Sequence, residues 1–185
     1  MALDVTPLAI EAVKLIRPQR FGDARGYLVE TWNQRKLAEA GIEVDFVQDN
    51  CSFSSDAGTI RGLHYQRPPA AQAKLVRVVR GRVFDVAVDL RGGSATYGRY
   101  AAAELTADGG EQLLVPVGFA HGFCTLESNT KLAYKLSDFY APECDAGIIW
   151  NDPDIGIDWP LEGRQPILSE KDMKLPRLAD GKPPF

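Results

Sequence analysis

From Val83 to Leu90 the chain alternates as a strand must. Phe84, Val86, Val88 and Leu90 fall on one face, and Val83, Asp85, Ala87 and Asp89 fall on the other. Ala73–Val79 ahead of it reads as a second strand, turned by Arg80-Gly81-Arg82. Leu113–Val117 and Lys131–Leu136 read as further strands, and single or paired glycines from Gly22 to Gly118 punctuate the runs as turns. One short helix is expected over Gln34–Ala40, capped by Asn33 and closed by Gly41. From about Trp159 onward, five prolines predict irregular chain. Many short strands and little helix define an all-β fold, a sandwich or a barrel. At 185 residues a single domain over 1–185 is expected.

Composition excludes several functional classes. With 45% hydrophobic and 25% charged residues, the chain is neither disordered nor a coiled coil. A net charge of −4 offers no basic footprint for nucleic acid. Cys51, Cys124 and Cys144 are too few and too irregular for a disulfide framework or a zinc site, and none sits where a reactive thiolate is expected. No apolar run reaches the ~18 residues of a membrane span, and the first residues lack the cationic start of a secretory leader. The expectation is a soluble cytoplasmic protein.

The only two histidines sit in the segments Gly58-Thr-Ile-Arg-Gly-Leu-His64-Tyr-Gln66 and Pro116-Val-Gly118-Phe-Ala-His121-Gly-Phe123. A Gly, five residues, then His resembles the first motif of the cupin jelly rolls, and Pro-x-Gly-x-x-His resembles their second. Metal-binding cupins carry a second His where this chain has Gln66, and a Glu where it has Lys74, seven residues before Gly81. An ammonium has no lone pair to give a metal. The expectation is a jelly-roll pocket without a metal, in which the fixed cation of Lys74 replaces the metal's charge.

The resemblance narrows with Arg61-Gly-Leu-His64-Tyr-Gln, Gln72-Ala-Lys74-Leu-Val, Asp85-Val-Ala-Val-Asp-Leu-Arg, Tyr134-Lys, Trp150-Asn-Asp-Pro-Asp and Ser169-Glu-Lys-Asp172. In this order they resemble the dTDP-4-dehydrorhamnose 3,5-epimerase family over nearly the whole chain. The resemblance implies a homodimeric cupin jelly roll with a few short helices. It implies action on a dTDP-sugar, dTDP-4-dehydro-6-deoxy-D-glucose, with inversion at C3 and C5 and no redox cofactor.

The residues suit that chemistry. Imidazole is an apt base near neutral pH, and His64 matches the family's base, with Asp172 as the carboxylate that orients it. The enolate left by proton removal needs positive charge already in place, for which Lys74 and Arg61 are the candidates. A phenol is protonated at neutral pH, and Tyr134 matches the proton donor. Arg25, Arg61 and Lys171 match pyrophosphate contacts. Phe21 belongs to the matching nucleotide-gripping stretch Phe21–Glu30, part of which reaches the partner subunit's site in this family. Glu30, Gln48 and Asn50 would bond thymine or sugar. Tyr140 matches the aromatic that stacks on thymine. Asp145 stands where the family usually has the longer Glu. His121 would bind substrate or only hold its turn, and Asp85 is placed to pair with it. By themselves these are ordinary residues: a core His, sheet tyrosines, surface charges, and in Trp150-Asn-Asp-Pro a turn with a buried Trp. The other readings of the same residues are an epimerase acting at C3 or C5 alone, a metal-dependent cupin enzyme and a non-catalytic sugar-binding jelly roll.

Overall fold

A computed structural model describes residues 3–185. Two antiparallel sheets face each other. The first holds six strands: β1 (Asp4–Pro7), β2 (Lys14–Arg17), β5 (Gln48–Ser54), β7 (Lys74–Arg80), β10 (Gln112–Val115) and β12 (Thr130–Leu136), in the order β1-β2-β10-β7-β12-β5. The second holds β6 (Ile60–Gln66), β8 (Arg82–Asp89), β9 (Tyr100–Thr106), β11 (Phe119–Thr125) and β13 (Asp145–Gly147), in the order β13-β6-β11-β8-β9. β3 (Arg20–Asp23) and β4 (Gly26–Val29) form a separate hairpin. Strands passing back and forth between two facing sheets are the all-β jelly roll that the histidine motifs led us to expect.

The alternation along β8 survives intact. Val83 and Ala87 point between the sheets, where they meet Val76, Leu113, Phe119 and Leu132. Val86, Val88 and Leu90 point outward and are covered by Ile148, Ile155 and Trp159 from the long C-terminal segment. That segment is irregular, as expected, apart from 3-10 turns at Asp172–Lys174 and Leu178–Asp180. In the turn after Trp150 the fully buried tryptophan is Trp159, whose indole N–H donates to the Trp150 carbonyl at 2.8 Å. Trp150 itself is half-buried. The helix α1 (Gln34–Glu39) is capped by Asn33, whose side chain accepts from the Lys36 amide at 3.2 Å. Leu37 on this helix packs with Ile16, Leu75 and Leu114 on the outer face of the six-stranded sheet. Among the described residues no helix is long and apolar enough to cross a membrane.

One irregularity shapes everything that follows. On β6 and β11, His64 stands opposite His121 and Arg61 stands opposite Phe123, so three steps on β6 match two on β11. The extra residue is a β-bulge. In a regular strand, residues three apart point to opposite faces; here Arg61 and His64 line the same cavity. The strands come unusually close at the bulge. A Cβ on Gly62 would lie 2.6 Å from the Gly122 Cα and 2.9 Å from the His121 carbonyl, and the Gly62 φ of 132° is one that side chains rarely adopt. Gly62→Ala is expected to cost about 2–3 kcal/mol of stability, read as a lowered urea midpoint with an unchanged slope.

Candidate active site

A cavity of about 460 Å³ opens between the sheets. The five-stranded sheet supplies Arg61, His64 and His121; the six-stranded sheet supplies Lys74 and Tyr134; the C-terminal segment supplies Lys171 and Asp172. A second hollow of about 250 Å³ shares His64, Lys74, Tyr134 and Lys171 with the first and adds Gln48, Asn50, Tyr140 and Asp145.

His64 Nε2 lies 2.7 Å from Asp172 Oδ1. Asp172 is buried, and its other oxygen accepts from the Gly62 amide at 3.4 Å. One carboxylate therefore holds both the bulge and the imidazole. With Nε2–H donated to Asp172, the lone pair is left on Nδ1. Burial is the larger influence on His64 and lowers its pKa below the ordinary 6.5; the bond to Asp172 offsets this in part. The imidazole is thus neutral, and able to accept a proton, at pH 7.

Lys74 begins β7, on the face that also carries Val76 and Val78 into the core. Its Nζ donates to the His64 carbonyl at 3.2 Å. Burial pulls its pKa down to about 8, against the opposing pull of Asp85 and Asp145. His121 Nε2 lies 2.7 Å from Asp85 Oδ1, and both residues are buried. This is the pairing that the polar face of β8 suggested; Asp85 Oδ2 has no partner among the described residues.

Arg61 is aimed by bonds from Nε to Ser54 Oγ at 3.2 Å and from its guanidinium to the Phe53 carbonyl at 2.9 Å. Lys171 is paired with Asp145, which holds the ammonium's pKa above its ordinary value. Cys124 is buried, and burial pushes its thiol up to about 11, leaving it inert.

Three expected residues stand apart. Phe21, Arg25 and Glu30 line neither hollow. Arg25 is paired with Asp23 at 2.5 Å, and Glu30 with Lys36 at 2.8 Å. They lie on or beside the β3–β4 hairpin, where Phe21, Tyr27 and Leu28 are exposed. Within one chain, the hairpin does not complete the cavity.

Sequence reasoning missed Ser52, Phe123 and Ser169 in the cavity wall. Ser52 had a legible signal: Gln48, Asn50, Ser52 and Ser54 recur at every second position of β5, as one polar face must.

Residues 7–180 match the family described as dTDP-4-dehydrorhamnose 3,5-epimerase. The enzyme of that name from Sinorhizobium fredii is 51% identical over 94% of this chain and 88% of its own length. The dTDP-4-dehydrorhamnose 3,5-epimerase of Bacillus anthracis, solved with TDP and PPi bound, is 46% identical with a TM-score of 0.91, covering 95% of this chain and 99% of that one. The dTDP-6-deoxy-D-glucose-3,5-epimerase of Legionella pneumophila, solved with dTDP-4-keto-L-rhamnose, is 43% identical with a TM-score of 0.91, covering 96% and 93%. With its fold and its sequence in agreement over nearly the full length, the chain belongs to the dTDP-4-dehydrorhamnose 3,5-epimerase family.

Proposed function

We propose that this chain converts dTDP-4-dehydro-6-deoxy-D-glucose to dTDP-4-dehydro-L-rhamnose by inverting C3 and C5, on the route to dTDP-L-rhamnose. The observation that carries this reading is the placement of His64 and Tyr134 on facing sheets across one cavity. A sugar ring between them meets a base on one side and an acid on the other. His64 Nδ1 takes the proton alpha to the C4 carbonyl. The C–H electron pair becomes a carbon–carbon double bond to C4, and the carbonyl oxygen becomes an enolate. The Lys74 ammonium, fixed beforehand, stabilises that charge. Tyr134 returns a proton on the opposite face. Arg61 and Lys171 hold the pyrophosphate, and Tyr140 meets the thymine at the second hollow, with Gln48, Asn50 and Asp145 around it. His121, held by Asp85, presents its remaining nitrogen to the sugar.

Proton NMR of the reaction in D2O, followed by trapping with a 4-keto reductase and NADPH, tests this directly. Deuterium at both C3 and C5 with dTDP-L-rhamnose as the trapped product is expected. Deuterium at one carbon alone would make the chain a single-site epimerase, and none at all would refute the base–acid reading.

The two ionisations bracket the pH profile. His64 is active when neutral, and its lowered pKa keeps it so below pH 6.5. Lys74 is active when charged, and loses its proton as pH rises through about 8. The rate is expected to be flat around neutrality and to fall above about pH 8. Lys74→Arg, charged throughout, should show no alkaline fall at whatever rate it retains; a fall at the same pH would assign that limb to another group.

We also propose that the active form is a homodimer, with the β3–β4 hairpin of each subunit completing the other's site. The exposed apolar residues of the hairpin and its distance from its own cavity support this. Mixing Arg25→Ala with His64→Ala subunits should restore activity, because one site in the hybrid has an intact His64 and receives an intact Arg25. An inactive hybrid would place Arg25 at its own chain's site, and full activity of Arg25→Ala alone would place it outside the site.

A further inference from the structure

The loop that follows β12 carries Tyr140 without the support of a sheet, and its backbone is held instead by three glutamine side chains. Gln72 Nε2 donates to the Asp138 carbonyl at 2.7 Å. Gln66 Nε2 donates to the Phe139 carbonyl at 3.1 Å and to the Ala70 carbonyl at 2.6 Å. Gln48 Oε1 accepts from the Tyr140 amide at 2.9 Å. Gln66 Oε1 accepts from the Ala141 amide at 2.8 Å. Four consecutive residues, 138 to 141, are thus each tied to a carboxamide, and Gln66 grips the residues on both sides of Tyr140. Gln66 is buried while Tyr140 is exposed, so the ring stands in the open and the amide that holds its loop is enclosed beneath it.

Only a carboxamide can do this. The site offers Gln66 two carbonyl acceptors and one amide donor, which demands N–H and C=O on the same short side chain. A carboxylate of the same shape would face two carbonyl oxygens with no proton to give, and a histidine could not reach all three partners with one donor and one acceptor. Gln66 also occupies the position where a metal-binding cupin has its second histidine. At that position this chain has a side chain that lines the second hollow and also ties down a loop.

We propose that Gln66 and Gln72 are positioning residues for nucleotide recognition: they fix the Asp138–Ala141 loop so that the Tyr140 ring stands ready for the nucleobase of the substrate. This rests on the reading of Tyr140 as the thymine contact. A ring held in place before binding loses less freedom when the base arrives, so the clamp acts on affinity for the nucleotide and not on proton transfer.

The test compares Gln66→Glu, Gln72→Glu and Tyr140→Ala, with dTDP binding by calorimetry and turnover on two substrates. One is the dTDP-4-keto sugar; the other is the corresponding 4-keto-6-deoxyhexose 1-phosphate, which has no base. Each glutamate variant is expected to raise Kd for dTDP and KM for the dTDP-sugar by about tenfold, with kcat within about threefold of wild type. Turnover of the base-less sugar phosphate should be unchanged. Gln66→Glu combined with Tyr140→Ala should bind dTDP no more weakly than Tyr140→Ala alone. Equal losses on both substrates, or additive losses in the double variant, would overturn the proposal and leave the glutamines a purely structural role. If Tyr140→Ala weakens dTDP binding but both glutamate variants bind normally, the clamp is wrong and the thymine contact stands. If Tyr140→Ala itself binds dTDP normally, the thymine contact fails and the clamp's purpose with it. Because Gln72 is only half-buried, its variant keeps the question open to refutation should Gln66→Glu not fold.

Discussion

His64→Ala is expected to abolish solvent exchange at both C3 and C5, lowering kcat by about a thousandfold or more. Both carbons flank the same carbonyl, and of the two carboxylate-tied imidazoles in the cavity, His64 is the one assigned as base. The variant should still bind dTDP, because Arg61, Lys171 and Tyr140, the groups assigned to the nucleotide, are left unchanged. Asp172→Asn should follow it only part of the way. An amide can turn its oxygen to the Nε2–H and keep the imidazole oriented, but its NH2 then faces the Gly62 N–H, and it does not stabilise the imidazolium that forms as the proton is taken. A loss of kcat with little change in KM is expected, and wild-type kinetics for either variant would remove the pair from the mechanism. D2O exchange followed by NMR reads both outcomes at once.

Tyr134→Phe should separate exchange from inversion. Removing the phenol leaves His64 able to take the alpha proton and to return a deuteron on the same face. Deuterium should therefore still enter while the inverted product falls by about a hundredfold or more. Tyr134 sits between Val76 on β7 and Asn50 on β5, so the ring remains packed after the hydroxyl is lost and the effect is chemical. Normal inversion in this variant would show that the second proton comes from elsewhere, and a total loss of exchange would mean that Tyr134 is needed for deprotonation as well.

Much of this architecture was legible in the chain, in places where polar side chains punctuate an apolar run. β8 showed its alternation because Asp85 and Asp89 break an apolar run, and its neighbour β7 followed from the Arg80-Gly81-Arg82 turn. β11 hid itself: every residue from Phe119 to Thr125 is buried, so no period of two appears, and only its histidine motif marked it. The short strands β1 and β2 and the hairpin β3–β4 have too few residues for a pattern to stand out. In the site, single residues were readable from their chemistry, as with Lys74 in place of a metal ligand. The bulge at Gly62 was not, because it depends on how two strands register. The glutamine clamp was not either, since Gln48, Gln66 and Gln72 lie on different segments and meet only around a loop.

The contact between Asp172 and His64 spans 108 positions of sequence. All the strands of both sheets lie before Asp172 in the chain, yet the carboxylate that completes the base arrives from the segment laid over the outer face of the five-stranded sheet. The two sheets can therefore carry His64 in place while it still lacks the carboxylate that orients it. Because Asp172 follows every strand of both sheets in the chain, the His64–Asp172 pair exists only while the C-terminal segment is docked. The enzyme's own turnover is then a sharper gauge of its intactness than any measure of its β-sheet content.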